Sequence, residues 1–248
     1  MLSVNIKSVC RKETDKDTEV ISNIVFSIEP GKIYIILGIN GSGKTTLIKS
    51  LTKLLDTNVF STTGKVLWNN ENIFLMDEYR LQLIRQTELR YVLQDLTNNF
   101  DPLKRLKYYF ENNGLDKNTL SDILKSFLLP EYNIISKLYP YEISGGMAQR
   151  LSLMFAFLPK PKLVILDEPT SAIDYTNINL IKIKLEEFAQ QNNSALIVTQ
   201  DIQFAKYISD EIAFLNDGKL SEFCSTDNFF NAPNTEYISF IEAFNRLK

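Results

Sequence analysis

The chain has 248 residues, 44% of them hydrophobic, which suits one large α/β domain or a core with a subdomain. Its net charge of −3 gives no basic field for nucleic acid, and the absence of any histidine excludes imidazole acid–base catalysis and imidazole metal ligation. The two cysteines, Cys10 and Cys224, lie at opposite ends and read as reduced thiols, not as a disulfide framework or a four-ligand zinc site.

Met1–Lys7 alternates apolar and polar residues, reads as a strand and lacks the apolar core of a signal peptide. Val25–Ile28 is a second strand and Pro30-Gly31 a turn. Ile33–Leu37 is continuously apolar, the pattern of a strand buried on both faces. It runs into Gly38-Ile39-Asn40-Gly41-Ser42-Gly43-Lys44-Thr45, which fits the P-loop pattern, and then into a helix predicted over Thr45–Leu55. Strand, glycine loop and helix in that order distinguish a P-loop from a glycine-rich turn with an incidental lysine. The glycines let backbone N–H groups turn toward phosphate oxygens. Lys44 adds a point charge for the outer phosphates, and the Thr45 hydroxyl is placed to ligate Mg²⁺.

Gly64–Trp68 and Leu89–Leu93 read as strands, the latter ending at Gln94, a neutral amide able to serve water or a metal's ligands. Between them and Ile143 the pattern turns helical, over Lys104–Asn113 and Thr119–Leu129. Ser144-Gly145-Gly146 opens a helix to Leu158, with Ser144 as N-cap. Its first N–H groups form either a simple capped helix start or a second anion site serving a nucleotide on another copy or partner. Leu163–Leu166 is a buried strand leading to Asp167-Glu168. Asp167 can hold Mg²⁺ through its water shell and Glu168 can polarise the attacking water. Ile178–Gln190 reads as an amphipathic helix, Ala195–Thr199 as a strand, and Asp217-Gly218 as the turn of a hairpin joining Ile212–Asn216 to Lys219–Phe223. A short tail follows Thr226. The longest apolar run, Leu151–Leu158, is broken by Ser152 and falls short of the ~20 residues that span a bilayer. The chain is expected in the cytosol, with any membrane role supplied through a partner.

Taken together, the P-loop, Gln94, Ser144–Arg150, Asp167-Glu168 and Ser171-Ala172-Ile173-Asp174 resemble the nucleotide-binding subunit of an ABC transporter over nearly the whole chain. The resemblance makes Gly38–Thr46 (including Asn40, Gly41, Ser42, Gly43 and Thr46) Walker A, Gln94 the Q-loop, Ser144–Met147 the signature, Leu163–Glu168 Walker B and Ser171–Asp174 the D-loop. It implies ATP and Mg²⁺ as ligands, with Thr45, Gln94 and Asp167 around the metal. Two such domains would pack head to tail on two transmembrane permease subunits at the cytoplasmic face of the membrane, fed by an extracytoplasmic substrate-binding protein. The expected fold is a P-loop NTPase core with a mostly parallel sheet (residues 1–94 and 158–225), an antiparallel N-terminal β portion, an inserted helical subdomain (95–157) and a tail (226–248). Tyr139–Met147, Phe100-Asp101-Pro102 and Asn231–Tyr237 are similar to the oligopeptide, dipeptide and nickel importers. The alternatives are an ABC-type ATPase uncoupled from transport and a low-hydrolysis cassette in a heterodimer.

Two positions depart from that pattern. Gln200 stands where the family has a switch histidine, and either slows the site built on this chain's Walker A or serves adequately through its amide. No aromatic residue precedes Phe26, so Cys10 or Arg11 falls where an aromatic usually stacks on adenine. An Arg11 guanidinium lying on the purine predicts weak discrimination between ATP and GTP; an exposed arginine in a strand-end loop is the other reading.

Overall fold

The computed structural model describes all residues except 15, 93–99, 112–114, 171–174, 232–236, 239–240 and 242–248. Two sheets form the scaffold. β1 (Leu2–Arg11) alternates buried and exposed residues along most of its length and pairs antiparallel with β2 (Thr18–Ile28) and, after β3 (Ile33–Leu37) and α1 (Lys44–Leu51), with β4 (Phe60–Trp68). The edge of this sheet is β5 (Glu71–Asn72), followed by α2 (Glu78–Thr87) and β6 (Leu89–Val92). The helices α3 (Leu106–Glu111), α4 (Lys117–Ser126), α5 (Tyr132–Ile135) and α6 (Gly145–Phe157) come next. The remaining elements are β7 (Leu163–Asp167), α7 (Tyr175–Gln190), β8 (Ser194–Thr199), α8 (Ile202–Ile208), β9 (Glu211–Asn216), β10 (Lys219–Leu220), β11 (Cys224–Ser225) and α9 (Thr226–Asn231).

The second sheet has the order β10-β9-β3-β8-β7-β6, with β11 also on β9. The pairs β3–β9, β3–β8, β8–β7 and β7–β6 are parallel; only β10 and β11 run antiparallel. The reason β3, β7 and β8 are buried at every position is visible in where alternate side chains go. Ile33, Ile35, Leu37, Val164, Leu166, Ala195 and Ile197 join one cluster with α6, α7, α8 and the inserted helices. Tyr34, Ile36, Leu163, Ile165, Leu196 and Val198 join another, with α1, α2 and the antiparallel sheet. A mixed α/β fold with a mostly parallel sheet and an antiparallel N-terminal sheet is therefore what the chain adopts.

Several elements differ from expectation. The P-loop helix stops at Leu51 with Thr52 as C-cap, and Arg85 of the unexpected helix α2 donates to the carbonyls of Thr52 (3.0 and 2.7 Å) and Lys53 (2.7 Å). A guanidinium there answers both the unsatisfied carbonyls and the negative end of the helix dipole. Only Leu81 and Ile84 of α2 are buried, a stripe too narrow to stand out in sequence. β2 extends back to Thr18 through a stretch that mixes Thr18, Glu19, Ser22 and Asn23 with Val20, Ile21 and Ile24, and backbone pairing with β1 holds it. The stretch after Thr226 is not merely a tail: α9 places Phe229 in the main core, where its ring stacks on Tyr237 at 4.2 Å. Gln94 and Ser171–Asp174 lie outside the described residues.

Candidate active site

The carboxyl ends of β3, β7 and β8 converge on one cradle, as expected for ligand sites of open parallel sheets. From β3 the chain turns at Gly38, whose N–H donates to Thr199 O at 3.2 Å. A methyl group on Gly38 would stand 2.6 Å from Leu215 O and 2.7 Å from Ser42 Oγ, so the turn has no room for a side chain. Gly41 (φ +82°) and Gly43 (φ +100°) are left-handed, which admits glycine readily and few other residues. Gly41 faces open space. Gly43 is also the N-cap of α1 and offers no side chain to it. The first intrahelical bond is Leu47 N–H to Gly43 O, so the amides of Lys44, Thr45 and Thr46 precede any helical acceptor.

Around this helix start the charged groups are buried and hold one another. Lys44 is 6% exposed. Its ammonium donates to Gly38 O at 2.8 Å and Ile39 O at 3.0 Å and lies 3.3 Å from Glu168 Oε1. Glu168 has φ +48°, a left-handed non-glycine held just past the end of β7. Its Oε2 accepts from the Thr199 hydroxyl (3.0 Å) and the Gln200 N–H (3.2 Å). Among the described residues Oε1 receives no well-aligned hydrogen bond and is faced by the Lys44 charge. Asp167 accepts from Thr45 (3.3 Å) on Oδ1 and from Tyr91 (3.1 Å) on Oδ2. Burial pushes the Asp167 carboxyl above its usual range, the Thr45 and Tyr91 hydroxyls pull it down, and the nearby Glu168 charge raises it again.

The donor set fits a triphosphate with a divalent cation. Among the described residues Ser42 Oγ is buried without a partner beside the glycine loop, and Thr45 and Asp167 offer the oxygen ligands Mg²⁺ prefers. Asn40 is exposed at the loop tip and Thr46 half-buried in the first turn of α1. The side chain of Gln200 is exposed; only its backbone N–H reaches Glu168. Arg11 is exposed at the end of β1, opposite Thr18 and Phe60. Two residues earlier, Val9 pairs with Ile21, whose Cδ1 lies 2.8 Å from where a Gly43 methyl would be. Arg11 thus sits beyond the strand that flanks the loop, and it touches no P-loop residue among the described contacts.

The Ser144-Gly145-Gly146 helix start is built differently. Ser144 Oγ accepts from Met147 N–H at 3.3 Å, Ser144 and Gly145 are exposed, and space around Gly145 is open. Among the described residues it meets neither the P-loop nor Asp167-Glu168. Three contributors were not read from the sequence: Tyr91, Thr199 and Gly218. Gly218, at the β9–β10 turn, donates to Ser42 O (3.3 Å) while its own carbonyl accepts from Ser22 N–H (2.9 Å), tying the loop to β2. No sequence spacing brings these three to the loop; strand order does.

A family model described as ABC transporter matches residues 21–171. The oligopeptide transport ATP-binding protein OppD of Salmonella typhimurium is 30% identical over 258 residues, covering 100% of this chain and 77% of that protein. The phosphate import ATP-binding protein PstB of Aeropyrum pernix is 33% identical over 236 residues, covering 89% and 90%. In fold, the dimeric post-hydrolysis state of the ATP-binding cassette MJ0796 bound to ADP and Pi is similar, with a TM-score of 0.73 at 24% identity over 91% of this chain and 99% of that one. The chain belongs to the ABC transporter family, and within it is an ATP-binding ATPase cassette.

Proposed function

We propose that this chain powers an importer of peptides, or of nickel and other metal chelates, by hydrolysing ATP at the cytoplasmic face of a membrane. The observation that carries the ATPase part is the convergence of Lys44, Thr45, Asp167 and Glu168 on one glycine cradle. The cargo reading rests on similarity, over the whole of this chain, to 77% of an oligopeptide transport ATP-binding protein, and on Tyr139–Met147. Among the described residues no helix is long and apolar enough to cross a membrane, so two permease subunits would supply the path. A second cassette, a different chain, would place its signature over this P-loop and receive Ser144–Gly146 over its own. The helical subdomain around Gln94–Asp101 would face the permeases, and an extracytoplasmic binding protein would deliver the cargo.

Two ammonium protons of Lys44 go to loop carbonyls, and its charge rests 3.3 Å from Glu168 Oε1. An arriving triphosphate offers better acceptors, and Lys44 exchanges Glu168 for phosphate. That exchange frees Glu168 Oε1, while Thr199 and Gln200 continue to fix Oε2. The freed oxygen accepts a proton from the water that attacks the γ-phosphate in line. Thr45, Asp167 and Gln94 would hold Mg²⁺, which would supply positive charge against the phosphates when bound. The loop and helix amides, with the partner's signature N–H groups, stabilise the developing charge.

The test is to capture the Glu168→Gln chain from its native membranes in mild detergent with ATP and identify what accompanies it. Two multi-span proteins and a second cassette support the reading, and a soluble complex or the chain alone overturns it. A second proposal follows from the exposed amide of Gln200, which can carry neither charge nor a shuttled proton: this chain's own Walker A site turns over slowly. Gln200→His should raise turnover of the assembled complex, and an unchanged rate rejects that proposal.

A further inference from the structure

Asp167 is 3% exposed, and a carboxylate so deeply placed has few ways to keep its charge and its orientation. Each of its oxygens has one hydroxyl donor. Thr45, on Oδ1, belongs to α1 and lies beside the glycine loop. Tyr91, on Oδ2, belongs to β6, the last strand in the order of the parallel sheet. β6 pairs in parallel with β7, and Tyr91 lies opposite Ile165. Ile165 and Asp167 are two residues apart on one strand and share a face. The Tyr91 ring packs with Ile165 in the cluster beneath α1, which carries its hydroxyl one register step along to the Asp167 carboxylate.

We propose that Tyr91 is a positioning residue for the divalent cation of the ATPase: its hydroxyl fixes the Asp167 carboxylate so that the remaining lone pairs face Thr45 and the metal's water shell. The inference rests on the reading that Thr45 and Asp167 hold that cation. Thr45 cannot do this work alone, because its oxygen is itself a metal ligand in that reading. Tyr91 approaches from the opposite oxygen, anchored in a strand. Hydroxyl-to-carboxylate bonds are charge-assisted and directional, and a partner of this kind to a metal-holding carboxylate is typically worth tens of fold in metal affinity.

The experiment uses Mn²⁺ with a non-hydrolysable ATP analogue on the full chain, free Mn²⁺ being read by electron paramagnetic resonance. Tyr91→Phe, which keeps the ring and removes only the oxygen, should weaken Mn²⁺ binding about tenfold. Analogue binding in EDTA and the thermal midpoint of the metal-free chain should stay near wild type, and half-maximal ATPase should need correspondingly more Mg²⁺. Asp167→Asn is the reference variant. Wild-type Mn²⁺ affinity in Tyr91→Phe, with loss in Asp167→Asn, overturns the positioning role and leaves the metal reading standing. Unchanged affinity in both overturns the metal reading and the proposal with it. A loss in Tyr91→Phe matched by an equal loss of analogue binding in EDTA marks a packing role and also overturns the proposal.

Discussion

The starts of α1 and α6 are both glycine-bearing helix N-termini, yet they are finished in opposite ways. At α1 the N-cap is Gly43, with no side chain to give, and its amides are left for a ligand. At α6 the N-cap is Ser144, which satisfies the Met147 N–H itself. The first is walled by buried charge, namely Lys44, Asp167 and Glu168. The second is exposed and has no such wall among the described residues. A helix N-terminus favours an anion, but it becomes a chemical site only when a cation, a metal-holding carboxylate and a base surround it. By that measure α1 carries a site within this chain and α6 does not; in the proposed reading α6 is one face of a site that a second cassette would complete.

The sharpest way to break this contrast is to strike both helices. Lys44→Ala should loosen ATP binding to the isolated chain by about 10- to 100-fold, because a buried charge-assisted donor to phosphate is lost. Gly145→Asp should leave that isolated affinity unchanged, measured by the same titration, and yet abolish turnover in the assembled transporter. Weakened ATP binding in isolated Gly145→Asp would mean that both helices serve one nucleotide within the chain.

A smaller effect tests how the loop at α1 is held open. Gly218 has φ +74°, and a methyl group there would stand 2.2 Å from Val20 O. Gly218→Ala should therefore cost roughly 2–4 kcal/mol by thermal or denaturant unfolding. Nucleotide affinity should fall alongside, since the same turn donates to Ser42 O. A near-wild-type midpoint would show that the β9–β10 turn can shift without disturbing the loop.

The chemistry at α1 was legible because it is local. Lys44 and Thr45 follow the glycine loop directly, and Asp167-Glu168 directly ends an all-apolar strand, so residue type and spacing are enough. The same holds for β3, β7 and β8, whose unbroken apolar runs announce burial on both faces. α2 and the first half of β2 were not legible. Leu81 and Ile84 are too few to mark a helix, and Thr18–Asn23 is extended because β1 pairs with it. The tail reading after Thr226 missed that Phe229 fills the core.

The sequence by itself determined the fold class and the residue types of the candidate site, because periodicity, glycine placement and charged residue types act over a few neighbouring positions. Only the tertiary structure decided that Lys44 rests on Glu168, that Thr199 and Gln200 hold the other Glu168 oxygen, that Arg85 caps α1 and that Tyr91 meets Asp167. Those contacts depend on which strands and helices lie side by side. That order is set by how two hydrophobic layers close over one sheet, and no short stretch of chain encodes it.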